Sequence, residues 1–260
     1  ETTVDVPDGK GEVTFSHVSF RYPGAEENAL HDIDFTAEAG KTTAIIGSTG
    51  CGKSTLVSLI PRLFDVSEGS VCVDGVDIRD MKMKDLRKMI GYVPQKGVLF
   101  SGTIASNIRF GKDDATQEEV EKAAMIAQAT EFIEEKEKRY DSEVAQGGNN
   151  VSGGQKQRLA IARAIAKQPK IYVFDDSFSA LDYKTDAALR KALNSEVADA
   201  TVIIVAQRIS TIMHADQILV LEDGRIVGRG THEELLAKNE VYQQIARSQL
   251  TQKDLEGKGC

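Results

Sequence analysis

The 260-residue sequence has no apolar run near the roughly 18 residues that a membrane-spanning helix requires. No segment of it is therefore expected to cross a bilayer as a helix. It also lacks an excess of basic charge. The 32 Lys and Arg residues are outnumbered by 40 Asp and Glu, for a net charge of −8, which argues against a general nucleic-acid binder. Cysteine is scarce: Cys51, Cys72 and Cys260 are too few and too scattered for a disulfide framework, and a reducing cytosol is the expected setting. The chain opens at Glu1 with neither Met nor a charged-then-apolar leader. It is expected to be a piece of a longer polypeptide, without a secretory signal. There is no internal repeat and no low-complexity segment. With 41% hydrophobic residues, the chain can fill one large domain or a compact core with an attached lobe.

What is present is organised around Gly47-Ser48-Thr49-Gly50-Cys51-Gly52-Lys53-Ser54, which fits G-x-x-x-x-G-K-[ST]. The β-branched run Thr42 to Ile46 before it reads as a buried strand, and Thr55 to Ile60 after it reads as a helix. Gly50 and Gly52 permit backbone conformations closed to other residues, so successive N–H groups can turn inward around phosphate oxygens. The helix start adds roughly half a positive charge at the same place. Lys53 is expected to reach the β- and γ-phosphates and the Ser54 hydroxyl to ligate Mg²⁺. The competing reading is a glycine-rich turn that matches by accident, and the flanking strand and helix weigh against it. Cys51, inside the loop, predicts that thiol alkylation blocks nucleotide binding.

Residues 1–10 read as a linker. Val13, Phe15, Val18 and Phe20 show strand-like alternation, and Leu30, Ile33 and Phe35 open a second strand. Asp74-Gly75 and Asp223-Gly224 each lie between apolar runs and predict hairpins. Residues 82–89 read as a helix and Ile90 to Val93 as a short strand stopped by Pro94. Thr116-Gln117-Glu118-Glu119 is a capping box predicting one helix through about Phe132. Residues 134–143 read as a charged, solvated connection. Ser152 is expected to cap a helix from Gly153 to near Pro169, and Thr231 to Leu250 to be helical. Ile171 to Phe174 and Thr201 to Ala206 are unbroken apolar strands. With helices between them, they indicate a parallel sheet covered on both faces, an α/β fold.

In such sheets chemistry gathers at the carboxyl ends of the strands. Those ends carry the phosphate loop, Gln95, Asp175-Asp176 and Gln207. An Asp ending an apolar strand downstream of a phosphate loop is the expected second Mg²⁺-organising group; the alternative is a strand-end turn residue. Val151-Ser152-Gly153-Gly154-Gln155 resembles the Leu-Ser-Gly-Gly-Gln signature of ATP-binding cassette (ABC) ATPases, and the resemblance runs from about Gly11 to Leu250. It implies a P-loop NTPase (RecA-like) core, an antiparallel β subdomain, an α-helical subdomain over about residues 96–158 and a flexible tail over residues 251–260.

On that resemblance, Tyr22 stacks on adenine, Thr55 joins the ATP-contacting loop residues, and Gln95, a metal ligand and catalytic group, matches the Q-loop. Ser179-Ala180-Leu181-Asp182 matches the D-loop. Ser152, Gly153, Gly154 and Gln155 close over ATP held by a second nucleotide-binding domain. Phe100 to Ile108 and Thr231 to Leu236 resemble exporters in which transmembrane and ATPase domains share one polypeptide. Ser142 to Gly148 resembles the stretch that meets their coupling helices, with Gln146 where Glu is common. The implied partners are a second such domain and the transmembrane domains, the implied ligands ATP and Mg²⁺, and the implied setting the cytoplasmic face of the cell membrane. Nucleic acid is not an expected partner, because only a short stretch separates Gln95 from Ser152 where DNA-repair relatives carry a long coiled coil.

Two residues depart from the pattern. Asp176 stands where Glu usually positions or deprotonates the attacking water, and Gln207 where His usually contacts the γ-phosphate. Together they predict the degenerate half of a heterodimeric exporter, whose own site holds ATP and hydrolyses it slowly. The alternative is an ATP-dependent dimerisation or regulatory module without hydrolysis.

Overall fold

A computed structural model describes residues 4, 5 and 8–256 of the chain; the rest of the expected linker and tail lies outside the described residues. Strand β1 (Val13–Phe20) and strand β2 (Leu30–Ala37) bury their alternating apolar residues. The alternation shifts between Phe15 and Val18, where His17 takes a positive φ and forms a bulge. Strand β3 (Thr42–Gly47) leads to helix α1 (Lys53–Ser58). Strand β4 (Glu68–Val73) and strand β5 (Val76–Asp77) form the hairpin around Asp74-Gly75, both at positive φ. Helix α2 (Met83–Lys88) and strand β6 (Ile90–Val93) follow.

The middle of the chain holds strand β7 (Gly102–Thr103), helices α3 (Ile104–Arg109), α4 (Gln117–Ile126) and α5 (Thr130–Glu134), and strand β8 (Glu143–Val144). Helix α6 (Gly153–Ala166), strand β9 (Ile171–Asp175), helix α7 (Tyr183–Glu196), strand β10 (Thr201–Val205) and helix α8 (Ile209–Ile212) come next. The chain closes with strands β11 (Gln217–Glu222) and β12 (Arg225–Gly230) and helices α9 (His232–Lys238) and α10 (Glu240–Glu256).

The main sheet has the order β12-β11-β3-β10-β9-β6. Its strands are parallel except β12, which returns antiparallel to β11 through Asp223-Gly224. A separate antiparallel sheet has the order β2-β1-β4-β5. The unbroken apolar strands follow from burial on both faces. Ala44 and Ile46 of β3 face a core shared with α3, α4, α6 and α7, while Ile45 faces a second core shared with α1 and the antiparallel sheet. Gly47 and Asp175 end their strands on the same edge, as do Val205 and Val93, so the segments that follow them meet there.

Two expected helices are broken. The capping box at Thr116 forms, with Glu119 N–H donating to Thr116 Oγ1 at 3.2 Å. The helix nevertheless stops at Ile126, because Gln128 turns to φ 61. Its carbonyl accepts a 2.9 Å hydrogen bond from Arg158 Nη1, and the Arg158 guanidinium lies 4.8 Å above the Phe132 ring. These contacts let α5 turn Phe132 and Ile133 into the core. The C-terminal helix divides at Asn239, whose Oδ1 accepts from the Tyr242 N–H at 2.9 Å and whose Nδ2 donates to the Val227 carbonyl at 3.0 Å. Asn239 thus begins α10 as a cap while tying it to β12. The charged connection over residues 134–143 includes a short 3₁₀ turn at Arg139–Asp141. Helix α10 continues through Glu256, so residues 251–256 of the expected tail are helical.

Candidate nucleotide site

The phosphate loop is shaped by steric need. A Cβ at Gly47 would collide with the Leu221 carbonyl oxygen, and Gly52, at φ 105, would bring one to 3.1 Å from Leu30. Within the loop the Lys53 ammonium donates to the carbonyls of Gly47 and, at 3.2 Å, of Ser48. Cys51 is 3% exposed, and burial pushes its thiol pKa up against the opposing pull of Lys53. Ser48, Thr49 and Gly50 are exposed along the rim of the loop.

Ser54 Oγ donates to Asp175 Oδ1 at 2.9 Å, which joins the first helical turn after the loop to the end of β9. The other oxygen of Asp175 accepts from Tyr92 at 3.3 Å. Burial raises the Asp175 pKa, opposed by the bonds from Ser54 and Tyr92 and by the charge of Lys53. Burial raises Asp176 too; Lys53 opposes the shift and Asp175 adds to it. The Asp176 backbone sits at φ 50, its N–H bonded to the Val205 carbonyl at 2.8 Å, and its Oδ2 accepts from Gln95 Nε2 at 3.2 Å. Gln95 is thus in contact with Asp176. Ser54 and Asp175 form a cluster of oxygen donors, the chemistry that Mg²⁺ prefers.

Tyr22 stands beside the loop, its hydroxyl 2.7 Å from Thr55 Oγ1 and its ring edge-on to Phe20 and Phe64. Gln207 is exposed just beyond β10, after Ala206 donates to the Ile45 carbonyl at 3.2 Å. The signature segment lies apart: among the described residues no hydrogen bond joins residues 152–155 to the loop over residues 47–54. Ser152 Oγ accepts from the Gln155 N–H at 3.2 Å, and Gln155 Oε1 accepts from the Ser152 N–H, forming the capping box of α6. Gly154 faces the Ala180 carbonyl at a distance that leaves little room for a side chain. Asp182 caps α7, accepting from the Thr185 N–H at 2.7 Å, and that bond holds its carboxyl below the usual range.

Several residues that position these segments carry no local sequence signal. Gln157, 2% exposed on α6, accepts from the Gly97 N–H and donates to the Pro94 carbonyl, both at 3.0 Å, and so brackets Gln95. Arg208 donates to the carbonyls of Phe178 (2.6 Å) and Leu181 (3.1 Å) and to Asp186, which ties the segment carrying Gln207 to the one ending at Asp182.

A parallel sheet carrying a phosphate loop, strand-end carboxylates and a separate helix-capping signature defines a P-loop nucleotide-binding domain of the ABC type. A family model described as ABC transporter matches residues 30–179, and the chain belongs to that family. It is 50% identical over 252 residues to an uncharacterized ABC transporter ATP-binding protein of Mycobacterium tuberculosis (strain ATCC 25618 / H37Rv), covering 96% of this chain and 43% of that protein. It is 43% identical over 253 residues to an ATP-dependent lipid A-core flippase of Yersinia pestis, covering 97% of this chain and 44% of the flippase. Among solved structures, a bacterial Atm1-family ABC exporter with ATP bound matches with a TM-score of 0.90 and 39% identity, over 95% of this chain and 45% of that one. The chain therefore spans less than half the length of these relatives. Among the described residues no helix is long and apolar enough to cross a membrane.

Proposed function

We propose that this chain is the ATP-binding, ATP-hydrolysing domain of an ABC exporter, working at the cytoplasmic face of the cell membrane. The observation that carries this reading is the 2.9 Å bond between Ser54 and Asp175 beside a loop lined by Lys53. Lys53 and the N–H groups of Gly50 to Ser54 would hold the phosphates, with Thr55 beside them, and Tyr22 would stack on the base. Ser54, Asp175 and Gln95 would hold Mg²⁺, which when bound offsets charge on the phosphate oxygens. Ser152 to Gln155, with Asp182 nearby, would complete a site on a second nucleotide-binding domain.

The site on this chain's own loop is proposed to hold ATP and hydrolyse it slowly. Asp176 carries a carboxylate one methylene shorter than the usual Glu, and it is occupied by Gln95. Gln207 can donate a hydrogen bond but has no proton that titrates near neutrality. The docking surface for coupling helices is proposed over residues 142–148, whose Gly148 lies against Leu99, together with Val98, Phe100 and Phe110, exposed apolar residues grouped around Arg163, whose guanidinium packs on both rings.

The test is Mg²⁺-ATP binding by the chain and its dimerisation, followed by light scattering, alone and with candidate partner domains. Lys53→Ala should abolish binding, and ATP-dependent dimers should release phosphate with a competent partner. Dimers that form on ATP and never release phosphate with any partner would favour the purely regulatory reading.

A further inference from the structure

We infer that Gln249, far along the C-terminal helix, is a positioning residue for the switch segment that carries Gln207, so that the docking of α10 sets how the site reads the γ-phosphate. This rests on the nucleotide-site reading above. The Gln249 side-chain amide makes two bonds to one backbone stretch. Its Oε1 accepts from the Ile209 N–H at 2.8 Å, and its Nε2 donates to the Gln207 carbonyl. Both ends of the amide are used, as if it were one rung of a strand ladder laid across residues 207–209.

The segment needs such a partner. Ile209 opens α8, a helix of four residues, and helix starts leave their N–H groups without internal acceptors. Arg208, at the cap position, supplies no side-chain acceptor there, because a guanidinium has only donors, and these go to the carbonyls of Phe178 and Leu181 and to Asp186. The last ladder bond of β10 ends with Ala206. Between that bond and α8, Gln249 is the group that takes both the free carbonyl and the free amide.

Helix α10 is itself firmly placed. Tyr242 is fully buried, with its hydroxyl 2.6 Å from His232 Nδ1, and Ala246 is buried one turn on. Gln249 continues the same stripe at the i, i+4, i+7 spacing. The helix thus seats on the core through Tyr242 and Ala246 and delivers Gln249 to the switch segment. The Gln207 backbone is held while the residue stays exposed, just beyond the end of β10. A change in α10, which lies toward the end of the chain, would therefore reach the γ-phosphate through a single side chain.

The experiment compares ATP and ADP affinity, by displacement of trinitrophenyl-ATP, in the full 260-residue chain, and hydrogen exchange at the Ile209 amide. In Gln249→Ala, exchange at Ile209 should quicken, and ATP should bind about three- to tenfold more weakly, the scale of a lost hydrogen bond. ADP, which has no γ-phosphate, should bind as before. Gln249→Glu keeps the acceptor for Ile209 and loses the donor to Gln207, so it should protect Ile209 while still weakening ATP. If Gln249 acts through Gln207, adding Gln249→Ala to Gln207→Ala should cost nothing further. An unchanged ATP-to-ADP ratio in Gln249→Ala, or additive losses in the double variant, overturns the role of Gln249. A chain that binds neither nucleotide overturns the underlying reading of the site.

Discussion

The carboxylate of Asp186, 1% exposed, accepts a hydrogen bond from Arg208 Nη2 at 2.8 Å. The same carboxylate accepts from Arg190 Nε and Thr211 Oγ1, each at 2.7 Å, so α7, α8 and the switch segment meet at one buried group. Removing one partner of a buried pair leaves the other charge uncompensated. Asp186→Ala should therefore lower stability by the smaller end of about 3–5 kcal/mol, since both arginines keep some contact with water. The check is a urea titration, with the midpoint falling at unchanged slope. An unmoved midpoint would mean that the hub is not a source of stability.

Turnover should respond to the two departures at the strand ends. A retreat of about 1 Å in a catalytic group can cost about a hundredfold. In an assembled transporter carrying this domain, Asp176→Glu combined with Gln207→His should raise ATP hydrolysis at this site toward that factor. Phosphate release per assembled dimer is the measurement. Unchanged release would mean that the natural residues are already competent.

Cys51 should react slowly with a maleimide. It is buried within the loop and its thiol pKa is raised, so little of the reactive thiolate is present at neutral pH. Labelling followed by peptide mass spectrometry should show Cys51 lagging behind Cys72, which is partly accessible, and slowing further when ATP is added. Rapid labelling that ATP leaves unchanged would count against the arrangement of the loop.

His17 offers a pH test away from the site. Its Nδ1 lies 2.8 Å from Asp32 and 3.2 Å from Asp34. The hydrogen bond to Asp32, then the charges of Asp34 and Asp32, raise its pKa above 6.5. The folded chain therefore holds this proton more tightly than the unfolded one. Any stabilisation from the pair is complete below 6.5 and is lost as pH rises through the raised value. NMR titration of the imidazole should show the raised midpoint, and Asp32→Asn should bring it down.

Much of the site could be read from sequence because its signals are local. The phosphate loop, the Ser152 capping box and the two Asp-Gly hairpins are each contained within a few residues, and the apolar strands announce their own burial. The break at Gln128 could not be read this way, since Ala127, Gln128 and Ala129 carry no glycine or proline; the contacts from Arg158 impose it. Asn239, by contrast, is a residue type suited to begin a helix, and it was a signal that could have divided the C-terminal segment. Asp186, Gln157 and Gln249 act across sequence separations of up to 63 residues, and no short pattern encodes such pairings.

Lys53 carries a consequence for kinetics. By donating to the Gly47 and Ser48 carbonyls, its ammonium gathers the loop from within, much as an internal template would. The loop's conformational freedom is then given up when the chain folds, and little remains to be lost when a nucleotide arrives. Capture of a nucleotide by such a cradle is then a matter of encounter more than of rearrangement.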